Sequence, residues 1–329
     1  MPIDDSQIDW KKSLQQLQQG NLPIRAELRL ADEAGPNKKL FTSDLSVNEF
    51  LASREVGVSP ISQVMGSSIY HVGRIADYKG ATGEITTLSQ AHRDARKLAL
   101  RRIWLEGKAV GADAVVGVRL GERFITIGSH GKGGDDGGEI IEFSVVGTAV
   151  KAPWLSHLSE KLHTVVTDLS GQQLWALYRE GYGPCGVVFD FCRYHVWHVL
   201  KSWTGGGEVT SAVNAVETAK DMVNNRIMQQ ANQMGAEFVV GSSLEFKVKE
   251  VPCGYEGCEL NDLDIDVSWF GTAICRLPKS TPAPQPIPPL ILGMMKLGRK
   301  SSDELLEGES ESDELKKLAE EVEKEASKE

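Results

Sequence analysis

Apolar positions along this chain fall into helix-like and strand-like runs that come round twice. From Ile85 onward, Leu88, Ala91, Ala95, Leu98, Ala99, Ile103 and Val110 recur at three- and four-residue spacing, which predicts one long amphipathic helix. Gly111 follows where a helix commonly closes in the left-handed conformation. Ala114-Val115-Val116-Gly117-Val118 then reads as a buried strand. The same design returns at Val209 to Ser242, ending in Gly235-Ala236-Glu237-Phe238-Val239-Val240-Gly241, at an offset of 124 residues. At that offset Asp44-Leu45-Ser46 falls on Asp168-Leu169-Ser170, Pro60 on Pro184 and Tyr70-His71-Val72 on Tyr194-His195-Val196. Gly83-Glu84 falls on Gly207-Glu208, and Gly147-Thr148-Ala149 on Gly271-Thr272-Ala273. Roughly 29 of about 110 aligned positions are identical without a gap, several times the chance level, which reads as a tandem duplication.

Each copy opens with a helix signal. Ser46-Val47-Asn48-Glu49 has the capping-box pattern, and Ser170-Gly171-Gln172-Gln173 keeps it, predicting helices over about 46–55 and 170–179. Strands rich in Val, Ile, Tyr and Phe are expected at 60–72 and 184–197. A glycine-bearing loop leads into the long helix, where Ala91 and Ala95, matched by Ala215 and Ala219, permit close approach to a sheet. Two further strands finish each copy, at 114–127 and 139–150, then 238–251 and 263–276. The expected fold class is α+β: two tandem β-α-β-β modules, each an antiparallel sheet covered by one long helix, with short N-terminal helices and a disordered or helical acidic tail. The expected boundaries are a lead-in over 1–40, repeats over 41–151 and 164–277, a Pro-rich linker over 278–300 and the tail over 301–329. Within the lead-in, a short helix is expected before Asn21 and a strand at Leu28–Leu30.

Composition narrows the function classes. An apolar content of 41% and a charged content of 25% are those of a globular protein. The formal net charge of -10, most of it in the tail, argues against sequence-independent nucleic-acid binding. No apolar run approaches the roughly 20 residues of a membrane helix, and no basic-then-apolar leader opens the sequence. The five cysteines, Cys185, Cys192, Cys253, Cys258 and Cys275, are odd in number and confined to the second copy, so a disulfide framework is not expected. A cytoplasmic location is the simplest expectation.

Candidate chemistry is sparse. Cys253 and Cys258 share one predicted hairpin loop, where two thiols could hold a soft divalent metal ion, form a local bridge or stand unrelated. Cys192 and His198 fall on one face of a predicted strand and are the companions such a site would draw on, while His195 points the other way. The shared Tyr-His-Val triplet reads as packing or subunit contact rather than ligation. His92, Arg93, Asp94 and Arg96 read as the solvated face of the first long helix. The loop Ser129 to Gly138 is glycine-rich, but its Asp135-Asp136 pair and following strand exclude a P-loop. No nucleophile elbow, zincin motif or dinucleotide fingerprint occurs, so no catalytic residues are assigned and an enzyme is not expected. Ile287 to Met295 is a short apolar stretch on a Pro-rich tether, suited to docking on a partner protein or back onto its own chain.

Val64-Met65-Gly66-Ser67-Ser68-Ile69-Tyr70-His71-Val72-Gly73, Gly111 to Gly117 and Gly147-Thr148-Ala149-Val150 resemble the YbjQ-like family (UPF0145), labelled as a heavy-metal-binding domain. The resemblance covers residues 60–150 strongly and 184–275 as a diverged second copy. It implies a β-α-β-β fold that assembles into pentameric rings, so the chain is expected to be a non-catalytic homo-oligomeric scaffold or binding module, with its tail recruiting a partner. Two stacked rings or one ring of mixed copies would both accommodate it. The alternatives are a soft-metal-binding protein using the second-copy Cys and His residues, and small-molecule binding or catalysis at subunit boundaries.

Overall fold

The computed structural model describes residues 8–33, 42–55, 57–72, 81–127, 138–152, 154–155, 164–197, 208–252 and 261–277. These belong to one compact unit spanning Met1–Gln285, and the linker and tail beyond it lie outside the described residues. None of the described helices is long and apolar enough to cross a membrane.

The lead-in forms two helices, α1 (Trp10–Gln18) and α2 (Ile24–Glu33). Asp9 caps α1 by accepting from the backbone of Lys11 and Lys12. The expected strand at Leu28–Leu30 is instead part of α2. Leu22, Ala26 and Leu30 lie four residues apart and join the apolar core around the first long helix, so tertiary packing decides what three residues of alternation could not.

The first repeat contributes α3 (Val47–Glu55), β1 (Ser59–Val72), the two-residue β2 (Gly83–Glu84), α4 (Thr86–Ala109), β3 (Ala114–Ile127) and β4 (Gly138–Lys151). The second contributes β5 (Val165–Val166), α5 (Gly171–Arg179), β6 (Tyr182–Val196), α6 (Thr210–Gln233), β7 (Phe238–Pro252) and β8 (Asn261–Arg276). The capping boxes form as expected. The Ser46 amide donates to Glu49 at 2.6 Å while the Glu49 amide donates to Ser46 Oγ at 3.3 Å, and Ser170 with Gln173 repeats the exchange. Gly111 and Gly235 sit at φ +71° and +70° just past the ends of α4 and α6.

Strand order is β1-β4-β3-β5 in one sheet and β2-β6-β8-β7 in the other. The long strands of each repeat pair antiparallel, with β4 or β8 in the middle. Each long helix packs on its own sheet. Ala95, Ala99 and Ile103 are buried under α4, and Ala219, Val223 and Ile227 under α6. The helix α4 lies so close to β1 that a Cβ on Gly66 would overlap the backbone of Ala99 and Ile103.

Candidate functional site at the junction of the two repeats

Each sheet has four strands because each repeat lends the other a two-residue strand. The strand β2, from the first repeat, pairs with β6 of the second through Gly83↔His195 and Glu84↔Tyr194. The pairing continues past it. The Ile85 amide donates to Arg193 O at 2.8 Å, and the Arg193 amide donates to Ser89 Oγ at 2.9 Å. In return β5, from the second repeat, pairs parallel with β3 through Ala114↔Val165 and Val115↔Val166. The Thr167 amide then donates to Val115 O at 2.9 Å, and the Val118 amide to Thr167 O at 3.1 Å. These exchanges satisfy edge groups that would otherwise face solvent or a stray strand.

Side-chain alternation makes β6 a strand buried on both faces. Val188, Cys192 and Val196 face the core under α6, whereas Val187 and Phe189 pack against the core around α4. Phe191 stacks on His92 with ring centroids 3.7 Å apart and planes 6° from parallel, and Phe124 covers the imidazole at 4.8 Å. Of the four residues read from sequence as a solvated face, Arg93 and Asp94 are half-exposed, and the reading is corrected for the other two. His92 is 0% exposed and Arg96 4%. Helical periodicity located the stripe toward the helix's own sheet but carried no sign of the second sheet packed against its flank.

The junction is also rich in charge. Arg226 of α6 donates to both carboxylate oxygens of Glu84, at 2.6 and 2.9 Å, and reaches Asp190 at 3.3 Å. Arg93 lies 3.4 Å from Glu84 and donates to Phe191 O at 3.0 Å. Burial opposes ionisation of Glu84, but the bidentate Arg226 outweighs it and holds the carboxyl below its ordinary value. Asp190 lacks that geometry, and burial raises its value. Burial also lowers the pKa of His92, keeping the sandwiched imidazole neutral although Glu122 lies 3.4 Å from its Nδ1. That contact is too poorly aligned to count as a hydrogen bond, and neither ring nitrogen has one among the described residues. Between β3 and β7 a cleft of about 430 Å³ opens, lined in part by Arg96, Glu122, Asp168, Glu245 and Lys247.

Of the metal candidates named from sequence, Cys253, Cys258 and His198 lie outside the described residues. Cys192 is buried beneath α6, where burial pushes its thiol up to about 12, away from the thiolate that binds metal. The other two described cysteines lie on adjacent strands. Cys185 is on β6 and Cys275 on β8, and their thiols share a hydrogen bond that raises Cys185 and lowers Cys275. Sequence spacing could not join residues 185 and 275, whose approach follows from the β6–β8 register. His195 is buried with its Nδ1 2.8 Å from Asp264 and its Nε2 3.4 Å from Asp262. Its triplet thus serves the junction, since Tyr194 and His195 are the residues that receive β2.

A family model described as "Putative heavy-metal-binding" matches residues 58–153. The encapsulin nanocompartment protein Rv1762c of Mycobacterium tuberculosis is 34% identical over 211 residues, covering 62% of this chain and 77% of that protein. A UPF0145 protein of Pseudothermotoga lettingae is 32% identical over 82 residues, covering 23% of this chain and 76% of that protein. No solved structure matches the chain. The metal in the family description finds no fit among the described residues. The matched segment holds no cysteine, and no described group of three His, Cys, Asp or Glu side chains converges on a point that would take an ion. Matched in its first repeat by the family model and over three quarters of each relative's length, the chain belongs to the YbjQ-like family, UPF0145.

Proposed function

We propose that this protein is a non-catalytic, self-assembling scaffold whose modules associate side by side into a ring or shell, with the tail after residue 300 recruiting a partner protein. The observation that carries this reading is the reciprocal loan of β2 and β5. A module of this kind finishes its sheet with a strand from a neighbour, and among the described residues each repeat receives one such strand from the other. The outer faces left over are apolar. Met65 and Ile69 on β1 are 51% and 74% exposed, and Phe238, Leu244, Phe246 and Val248 are exposed along β7. The relative named as an encapsulin nanocompartment protein supports the shell-type version. The lateral contact within one chain favours a single ring of mixed copies over two stacked rings, and the family resemblance supports a pentamer-based homo-oligomer. Non-catalytic fits the junction's histidine, which is neutral and covered on both ring faces.

Native mass spectrometry of protein purified without metal or chelator tests the reading. A discrete multiple of the chain mass is expected. A monomer at micromolar concentration refutes it, and a stoichiometric metal adduct lost in a Cys253→Ser/Cys258→Ser variant would replace it with the soft-metal reading.

A further inference from the structure

Resting on that assembly reading, we propose that a second copy of this chain docks head to tail, its β1 and Thr42–Leu45 segment lying against α6 and β7, with Glu208 of one copy bonded to Arg102 of the next. The contact would repeat, at the offset of 124 residues, the junction already formed inside one chain.

The charges carry the argument first. Glu84 and Arg226 hold the two repeats together at 2.6 Å. Their counterparts at the offset are Glu208 and Arg102, the same residue types with the roles of the repeats exchanged. Glu208 is exposed at the entrance to α6, just as Glu84 stands at the entrance to α4. Arg102 donates to the carbonyls of Ser67 and Leu17, yet no carboxylate lies within ion-pair distance among the described residues, and its Nε is buried without a partner. Burial alone moves its guanidinium, downward, whereas Glu84 moves Arg226 upward. One face thus holds a carboxylate and the other a guanidinium that a single docking register would join.

The backbone supplies a second, independent line. Inside the chain, Thr167 is bonded to Thr272 of its own repeat at 3.0 Å while its amide reaches across to Val115 O. Ser43 is held on Thr148 of its own repeat in the same way, at 3.2 Å. That places its amide to reach Val239 O on β7 of another copy, as the Thr167 amide reaches Val115. The apolar surfaces agree. Ala114 beside β5 is wholly buried, while its counterpart Phe238 is 55% exposed. The contact joins two different patches, so it propagates with direction, and any closed ring contains the repeats in strict alternation.

Charge reversal tests the register. Glu208→Arg and Arg102→Glu should each weaken assembly roughly tenfold or more, because each sets like charges together. The double variant should restore it fully, since every contact then pairs Arg with Glu. An equimolar mixture of the two single variants should restore it in part, since contacts between unlike copies pair Arg with Glu while a five-membered ring keeps at least one contact between like copies. If the wild type assembles and the Glu208→Arg variant assembles equally well, the register is wrong and the assembly reading survives. If the wild type is monomeric, both fall. Should Arg102→Glu fail to fold, Glu208→Arg and Glu208→Gln at an exposed position decide the matter by the same assay, with a graded loss expected and an unchanged assembly mass overturning the proposal.

Discussion

The strands β1 and β6 align residue for residue at the 124-residue offset, yet one is half bare and the other is buried on both faces. Met65, Ser67 and Ile69 are exposed where Phe189, Phe191 and Arg193 pack or bond against the first repeat. The inner faces differ as well. Gly66 meets the backbone of α4, while Asp190 at the aligned position is buried beside Arg226 and Arg93. The two aligned strands therefore differ most on the side where β6 meets the other sheet's helix. The buried version shows what such a neighbour supplies: an aromatic stack, a bidentate ion pair and a borrowed strand.

Exchanging the aligned residues should break this comparison most severely at Gly66. Gly66→Asp would force a side chain into the α4 backbone and bury a carboxylate with no arginine beside it. We expect a loss of about 4 kcal/mol or more, read as loss of the cooperative thermal transition. Retention of the wild-type melting temperature would show that α4 can lift from β1. The next effect belongs to the second repeat. Phe191→Ala removes the ring stacked on His92 and should cost about 3–5 kcal/mol in thermal unfolding, as large-to-small changes in cores do. Ser67→Ala, at the aligned position on β1, should cost under about 0.5 kcal/mol in the same assay. Equal effects at the two positions would mean that the β6 outer face is not an interface core.

Much of the architecture was legible because it is local. The period of α4, the capping serines Ser46 and Ser170 and the closing glycines Gly111 and Gly235 are written within a few residues of the structures they specify. The junction was not legible, because nothing in a single strand's alternation says whether its second face meets water or another helix. His92 and Arg96 were misread for that reason. The lent strands β2 and β5 are two residues long, below any periodicity. The signal that could have revealed the junction was the unequal polarity of β1 and β6, Met-Gly-Ser-Ser-Ile against Phe-Asp-Phe-Cys-Arg, since an aromatic outer face on one copy calls for a cover. The short helix α2 shows the converse limit, for its Leu-Arg-Leu alternation looked like a strand until Leu22 and Leu30 were placed in the core. The metal candidates Cys253 and Cys258 lie outside the described residues, and the described sheet brings together a different pair, Cys185 with Cys275.

The ion pair offers a sharper test than the core, because pH addresses it directly. The folded-state value of Glu84 lies below its ordinary value of 4.5. The unfolded chain therefore binds more protons over that interval, and the stability Glu84 contributes is full above pH 4.5 and lost as pH falls through the depressed folded value. Glu84→Gln should cost about 1–3 kcal/mol at neutral pH, as loss of one partner from a partly buried charged bond does. It should also flatten the dependence of stability on pH below 4.5, measured by urea unfolding at a series of pH values. Parallel wild-type and variant profiles would place the acid sensitivity elsewhere.

The smallest effect on folding should come from the bare face, and there the comparison is most informative. Met65→Ser combined with Ile69→Ser removes exposed apolar surface from β1, so the change in unfolding free energy should stay within about 0.5 kcal/mol per site. The aligned side chains on β6 are buried against α4, so an assembly in which β1 receives the next copy's α6 would bury Met65 and Ile69 in turn. Loss of the high-mass species in native mass spectrometry, with an unchanged melting transition of the chain itself, is the expected outcome. An intact assembly would mean that β1 faces water in the oligomer as it does in the single chain, and that the neighbour resides on another surface.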